Sequence, residues 1–453
     1  MTISQNIARQ KIAVVGAGIS GLSAAWLLSQ AHDVTLYERD TRLGGHSHTV
    51  DAPSSSGATP VDTGFIVYNA ANYPNLVALF EHLGVRTKRS NMGFAVSLDD
   101  GRIEYGGDNL LTLFSQWSNL VNPRFWSMLK DLVRFYREAP GHADLLEADP
   151  MTLGDYLESH GYGHAFQNDH LLPQAAAIWS ASAKDIRDYP AATFIRFCEN
   201  HGLLKIIGRP VWRTVDGGSR EYVARLVSRL GERARTGIAV NRVVRTTAGV
   251  VVVDGHGDSV RFDHVVIATH ADQALAMIDS PLRSERSVLG CFRYSRNLAV
   301  LHCDATLMPR RRRLWSAWNY VGRSEPGADQ RICVTYWMNR LQALPGHTPL
   351  FVTLNPVHQP DPVKVIHTEL YEHPMFDAAT IKAQKALWSL QGAGGVWWCG
   401  AYFGSGFHED GLQAGLAVAE AIGGVRRPWD VKGESDRIHI NRDNTHVLLG
   451  ISG

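Results

Sequence analysis

Cysteine is scarce in this chain: five stand among 453 residues, at Cys198, Cys291, Cys303, Cys333 and Cys399, an odd number with no CxxC spacing. That excludes a disulfide scaffold and a zinc ribbon, and scattered thiols suit a reducing, cytoplasmic setting. Long hydrophobic runs are missing too. No 18-residue window is apolar enough to span a bilayer, and the polar start, Met1–Gln10, lacks the basic and apolar regions of a signal peptide. Neither sign of charge prevails, with 45 Lys and Arg against 44 Asp and Glu, so bulk attraction to nucleic acid is not expected. His46, His48, His164 and His170 have no companion ligands, so no metal site is expected.

Apolar residues and glycine are plentiful. Hydrophobic residues make up 45 % of the chain and glycines number 42, enough for two or three domains at roughly 100–200 residues each. Lys11–Val15 reads as a strand, the glycines Gly16, Gly18 and Gly21 follow, and Leu22, Ala25, Trp26 and Leu28 recur at helical spacing. A second strand, Asp33–Tyr37, ends at Glu38. This is the βαβ order of a doubly wound parallel sheet that binds a dinucleotide. Gly16 permits the tight turn, Gly18 lets a diphosphate approach the backbone, and Gly21 lets the helix lie close to the strand. The helix start at Ile19 and Ser20 offers unpaired N–H groups to phosphate. Glu38, with Arg39 beside it, suits ribose hydroxyls and repels a 2′-phosphate. A second turn, Arg42-Leu-Gly44-Gly45-His46, suits a cofactor that threads past the sheet edge, which a nicotinamide enzyme does not need.

Further along, a helix is predicted from Pro74 to about Gly84, then mostly helical chain to about Gly202. Asp216–Ser219 opens another helix over Glu221–Leu230. A β-meander follows, with runs centred on Val240, Val252 and Val266. Residues 280–391 read as mixed, with strand-like runs at Leu298–His302, Ile332–Trp337 and Leu350–Thr353, Gly395–Gly400 as a buried strand and Leu412–Ile422 as the last helix, with a polar tail from Arg426 onward. Pro53–Pro60 reads as a loop at a hairpin tip. The Trp-, Phe- and Leu-rich stretches Leu111–Trp126 and Trp179–Phe197 read as core.

Lys11–Tyr68 resembles the FAD-binding signature of the flavin amine oxidase and phytoene desaturase superfamily: the glycine motif, the ribose acid, Arg42-Leu-Gly44-Gly45, Thr49, then Asp62-Thr63-Gly64. Ala268-Thr269 resembles a further shared segment, Val243 stands where the adenine would be lined, and Gly400 with Asp410-Gly411-Leu412 resembles the closing motif, whose helix start faces the flavin. The resemblance implies FAD as cofactor and an α/β, amine-oxidase-like two-domain architecture. A discontinuous Rossmann-like FAD domain would come from residues 1–75, 205–275 and 390–430. A mixed α+β substrate domain would come from residues 76–204 and 276–389, and residues 431–453 would form a tail. Two positions depart from the superfamily. His46 stands where an arginine is usual, so flavin affinity is expected to vary between about pH 5.5 and 8.5, the range over which histidine titrates. Phe407 stands where amine oxidases place a cage tyrosine, which counts against an amine substrate.

Ile178-Trp179-Ser180, Asn200-His201-Gly202-Leu203, Arg209-Pro210-Val211-Trp212 and Phe407-His408-Glu409-Asp410-Gly411 resemble a bacterial subgroup of FAD-binding proteins often encoded beside cyclopropane fatty-acid synthases. That resemblance implies an oxidoreductase that takes hydride from carbon, with desaturation of a methyl-branched acyl chain of a phospholipid as the expected reaction. An amine or amino-acid oxidase releasing peroxide, and a non-redox flavin isomerase or partner-binding protein, are the alternatives. Flavin chemistry at carbon needs a base for the second proton; His408 is the candidate, with Tyr68 and Tyr402 as alternates. The run Arg310, Arg311, Arg312, Arg313 beside Trp315 suits peripheral contact with an anionic membrane.

Overall fold

The computed structural model describes residues 8–54, 57–179, 183–205, 208–323 and 331–440; Ser180 of the Trp179-Ser180 pair lies outside them. Strands β1 (Lys11–Val15), β2 (Asp33–Tyr37), β3 (Ala234–Arg235), β4 (His264–Ile267) and β5 (Val396–Trp398) form one sheet in the order β3-β2-β1-β4-β5. Every pairing is parallel, as chain that leaves and returns through helices requires. Helix α1 (Ile19–Leu28) is buried all round, because it lies between this sheet and the last helix, α5 (His408–Ile422). A helix apolar on every side must be covered on every side.

The second sheet has seven strands in the order Val365–Met375, Arg293–His302, Phe351–Leu354, Arg331–Trp337, Trp318–Arg323, Phe94–Leu98 and Ile103–Gly106. Two of these correct the expectation of helix after Gly84. Phe94–Leu98 and Ile103–Gly106 pair antiparallel across a turn in which Asp99, Asp100 and Gly101 all have positive φ, a backbone that Asp and Gly tolerate best. The meander is corrected as well: its third strand is Ser259–Phe262, and the run at Val266 is β4. Pro53 and Pro60 are paired within the hairpin strands Thr49–Ser54 and Gly57–Asp62 instead of lying in its loop. The final helix begins at His408, four residues before the expected start, because the Asp410 carboxylate accepts the Phe407 N–H at 2.7 Å and caps it.

The described residues form three apolar clusters. The first lies about the parallel sheet and takes in Leu76, Leu79 and Phe80 of α2 (Pro74–His82). The second lies on the seven-stranded sheet. The third is helical, built on α3 (Pro123–Ala148) and the Ala191–Asn200 helix. The core assignment fails in one place: Leu111, Trp117 and Trp126 are exposed. Within the described part of the segment from Arg426 onward, Arg427 is buried and forms an ion pair with Glu420 at 2.8 Å.

Candidate active site

The glycine turn is built as its residues require. Gly16 has φ +98°, and a Cβ there would lie 3.0 Å from the Ala268 carbonyl oxygen, so Ala268 and Thr269 flank the turn. A Cβ on Gly21 would lie 1.9 Å from the Gly16 oxygen. Gly45 abuts the Gly18 backbone, with its Gly44 neighbour donating N–H to Ala17 O at 2.9 Å. Arg42 braces this second turn through Nη1 to Gly45 O at 2.7 Å, and Gly64 lies against the His46 carbonyl.

These residues fit FAD. A Cβ at Gly18 would meet nothing within 4 Å among the described residues, and none of their side chains caps the start of α1. Backbone N–H groups there suit a diphosphate. The buried Nε2 of His46 has no partner among the described residues. Glu38 accepts from the N–H groups of Ala17 at 2.7 Å and Asp40 at 3.0 Å, which holds its carboxylate at the end of β2, while Arg39 is exposed. The expected titration of His46 is corrected. Burial, with His373, His270, His408 and Arg42 around it, holds its pKa well below the ordinary value, so the ring is neutral across the physiological range.

Other expected cofactor residues serve packing as well. The Asp62 carboxylate collects Thr49 Oγ1–H at 2.6 Å, Ser219 N–H at 2.9 Å and Gln342 Nε2–H at 2.8 Å, tying three segments together; burial raises its pKa to about 6. Thr63 Oγ1 lies 2.8 Å from the Tyr371 hydroxyl. Asp410 is turned to Arg437, 2.6 Å away, and its N–H is donated to the Phe407 carbonyl at 3.1 Å. Gly411 faces Ser20 and Ile19 of α1, and Leu412 is fully buried. Val243 is buried, its carbonyl taken by the Asp279 N–H. Gly400 lies under the Tyr402 ring.

The three candidate bases are buried in different packing, with Tyr68 linked to His408 through Phe80 and Tyr222. Tyr402 packs on Phe292 and Phe403 beneath the parallel sheet, and Tyr68 packs on Tyr73 and Phe80; both are buried. His408 stacks on Phe65 with centroids 3.8 Å apart, and its Nε2 lies 2.6 Å from the hydroxyl of Tyr222, on helix α4 (Arg220–Val227). Ser47 Oγ bonds the same hydroxyl. Burial lowers the His408 pKa to about 3. Its Nε2 is engaged with the hydrogen-bonded hydroxyls of Tyr222 and Ser47.

Phe407, at the cap of α5, stacks on Phe197 at 4.8 Å and meets His201 at 5.6 Å. The sequence flagged His201 only as part of a shared segment. Its Nδ1 lies 2.9 Å from the Phe197 carbonyl, which can only accept, so Nδ1 carries the proton and Nε2 keeps its lone pair. That buried Nε2 has no partner among the described residues, and burial lowers the pKa to about 4. No local pattern marks Phe197, Tyr222 or Arg437 as its neighbours' partners, since each comes from a distant segment.

The view that His48 lacks companions is also corrected. His48 Nδ1 and His367 Nε2 lie 3.2 and 3.5 Å from Glu369 Oε2. Arg42, 3.7 Å from the same carboxylate, already supplies a cation there.

A family model described as "Flavin containing amine oxidoreductase" matches residues 19–423. Among curated proteins, the chain is 37 % identical over 153 residues to polyamine oxidase 5 of Oryza sativa subsp. japonica, covering 33 % of this chain and 30 % of that one. It is 26 % identical over 286 residues to coproporphyrinogen III oxidase of Mycobacterium tuberculosis, covering 59 % and 60 %. The chain thus spans less than two thirds of either relative. Among solved structures, the CLA-producing fatty acid isomerase from P. acnes aligns with TM-score 0.63 at 15 % identity, over 91 % of this chain and 98 % of that one.

Proposed function

The chain belongs to the flavin containing amine oxidoreductase family and is an FAD-dependent oxidoreductase, and on that premise we propose that it takes hydride from a carbon of an apolar substrate, the acyl chain of a lipid. The observation that carries this reading is the wall made by Phe407 and Phe197, rings 4.8 Å apart and nearly parallel. Two Phe faces give an acyl chain apolar contact and offer an ammonium group no hydrogen-bond acceptor. Both acids next to Phe407 are already spent: Glu409 accepts from Asn75 N–H and Leu76 N–H at 3.0 Å each, and Asp410 pairs with Arg437.

Desaturation removes two hydrogens from neighbouring carbons. One leaves as hydride with both electrons of its bond, and bound FAD supplies the two-electron acceptor, with dioxygen or another oxidant as the final one. The other leaves as a proton, and the electrons of its bond become the new double bond. We assign that proton to His201 Nε2, the ring nitrogen whose lone pair the fold leaves unpaired beside Phe407. The Phe197 carbonyl holds the tautomer that can accept it. His408 then serves as a positioning residue, fixed by Tyr222 and Phe65.

An amine oxidase is the second reading, favoured by the polyamine oxidase match; an isomerase without net oxidation is the third, in line with the shared fold of the fatty acid isomerase. Anaerobic stopped-flow against phospholipids with branched or unsaturated chains and against small amines separates them. Bleaching of the flavin by lipid alone is expected. Bleaching by amines alone, with peroxide in air, replaces this reading with the second. A lipid whose double bond moves without lasting bleaching replaces it with the third.

A further inference from the structure

Large apolar side chains are exposed unevenly over this molecule. Leu110, Leu111, Trp117, Leu120, Val121 and Trp126 fall within one short segment, with Leu111 86 %, Val121 83 % and Trp117 74 % exposed. The segment is rigidly held. Asn109 caps its first turn by accepting the Thr112 N–H at 2.9 Å, Gln116 Oε1 accepts the Glu104 N–H at 2.6 Å, and the Trp126 Nε1–H is given to Leu120 O at 2.9 Å. Such a fixed apolar surface is one that a partner covers.

Charge selects the partner. Asn109–Lys130 contains no Asp or Glu, and its charged residues are Arg124 and Lys130. The arginine run is fastened to the same segment: buried Glu104 pairs with Arg311 and accepts the Arg310 N–H at 2.8 Å, while Arg313 donates to the Ser115 carbonyl. Arg311 and Arg313 thereby tie the run to the fold. Arg310, Arg312 and Arg313 stay exposed, with Arg310 3.9 Å from the Asp100 carboxylate and Arg312 5.2 Å over the Trp315 ring. Exposed leucine and valine, two tryptophans and a rim of cations match the layering of an anionic lipid surface, with apolar groups at acyl depth, indoles at the interface and arginine at the phosphates. Among the described residues no helix is long and apolar enough to cross a membrane, so the contact is from one side.

We propose that residues 110–126, together with Arg310 and Arg312, dock this protein onto an anionic lipid surface. The surface is distinct from the flavin site, and the proposal stands whatever the substrate is.

Flotation of the FAD-loaded protein with vesicles of phosphatidylglycerol and phosphatidylcholine tests it, with Trp fluorescence followed in parallel. The wild type floats with these vesicles, shows a blue shift, and does not float with phosphatidylcholine alone. Arg310→Gln and Arg312→Gln each weaken partition about fivefold. Trp117→Ser combined with Val121→Ser abolishes flotation, while flavin content and melting temperature stay at wild-type values. Wild type that stays unbound, or variants that float equally well, overturn the proposal. So does a wild-type dimer that the Ser variant splits into monomers, because the patch would then belong to a second copy. Failure here leaves the acyl-chain reading to be judged on detergent-dispersed lipid.

Discussion

His201 and His408 stand on either side of Phe407, and the fold has spent different nitrogens on each. His201 gives its Nδ1–H to a carbonyl and keeps Nε2; His408 has Nε2 in a 2.6 Å bond to Tyr222. His201→Gln is expected to slow flavin reduction by about 10²–10⁴-fold, the usual contribution of a general base, with little change in flavin content. His408→Ala is expected to slow it less than about tenfold. The reverse order in stopped-flow would move the base to His408. With the His201 pKa near 4, the acid limb of the reduction rate should lie near pH 4, well below the ordinary histidine range. His46 leads to a related expectation: neutral throughout, it leaves FAD affinity flat between about pH 6 and 8.5 in titrations of the apoprotein.

At the scale of elements, the contact of α1 with α5 decides how closely the last helix approaches the glycine turn. Gly411 and Gly415 lie one turn apart on α5, and a Cβ on Gly415 would come within 2.2 Å of the Ser20 carbonyl oxygen. Gly415→Ala should therefore destabilise the protein by about 1–3 kcal/mol, as overpacking does, and lower flavin occupancy with it; urea unfolding and absorbance measure both. The other anchor of α5 is the buried pair Asp410–Arg437, where Arg437 also donates to Asn72 O at 2.8 Å. Arg437→Met leaves the Asp410 carboxylate buried without its cation, at a cost of about 3–5 kcal/mol. Combining it with Asp410→Asn should recover part of that loss in a double-mutant cycle.

For the whole molecule, the buried histidines set the acid limit. Burial lowers the pKa of His170, His201 and His373 to about 4 and that of His408 to about 3. Each is neutral in the fold but binds a proton in the unfolded chain below about pH 6.5, so stability is full above that pH and falls as pH drops toward 4. Thermal melts should show a steep loss of midpoint from pH 6.5 to 4 and little change from 7 to 8. The same burial bears on what could be read in advance. The glycine turn, Glu38 and the parallel strands are legible in the linear chain because each is dictated by neighbours within a few tens of residues: a turn needs Gly16, a helix start needs Gly18, a strand needs its apolar run. Three strands of the seven-stranded sheet, at Leu298–His302, Ile332–Trp337 and Leu350–Thr353, are legible as well, but the hairpin at Asp99–Gly101 and the exposure of Trp117 are not, since apolar residues look alike until packing assigns some to the core and leaves others outside. Which histidine keeps a lone pair was likewise settled by folding: the Phe197 carbonyl and the Tyr222 hydroxyl reach His201 and His408 only in three dimensions, and hydrogen-bond geometry at a buried nitrogen has no signature in the order of residues.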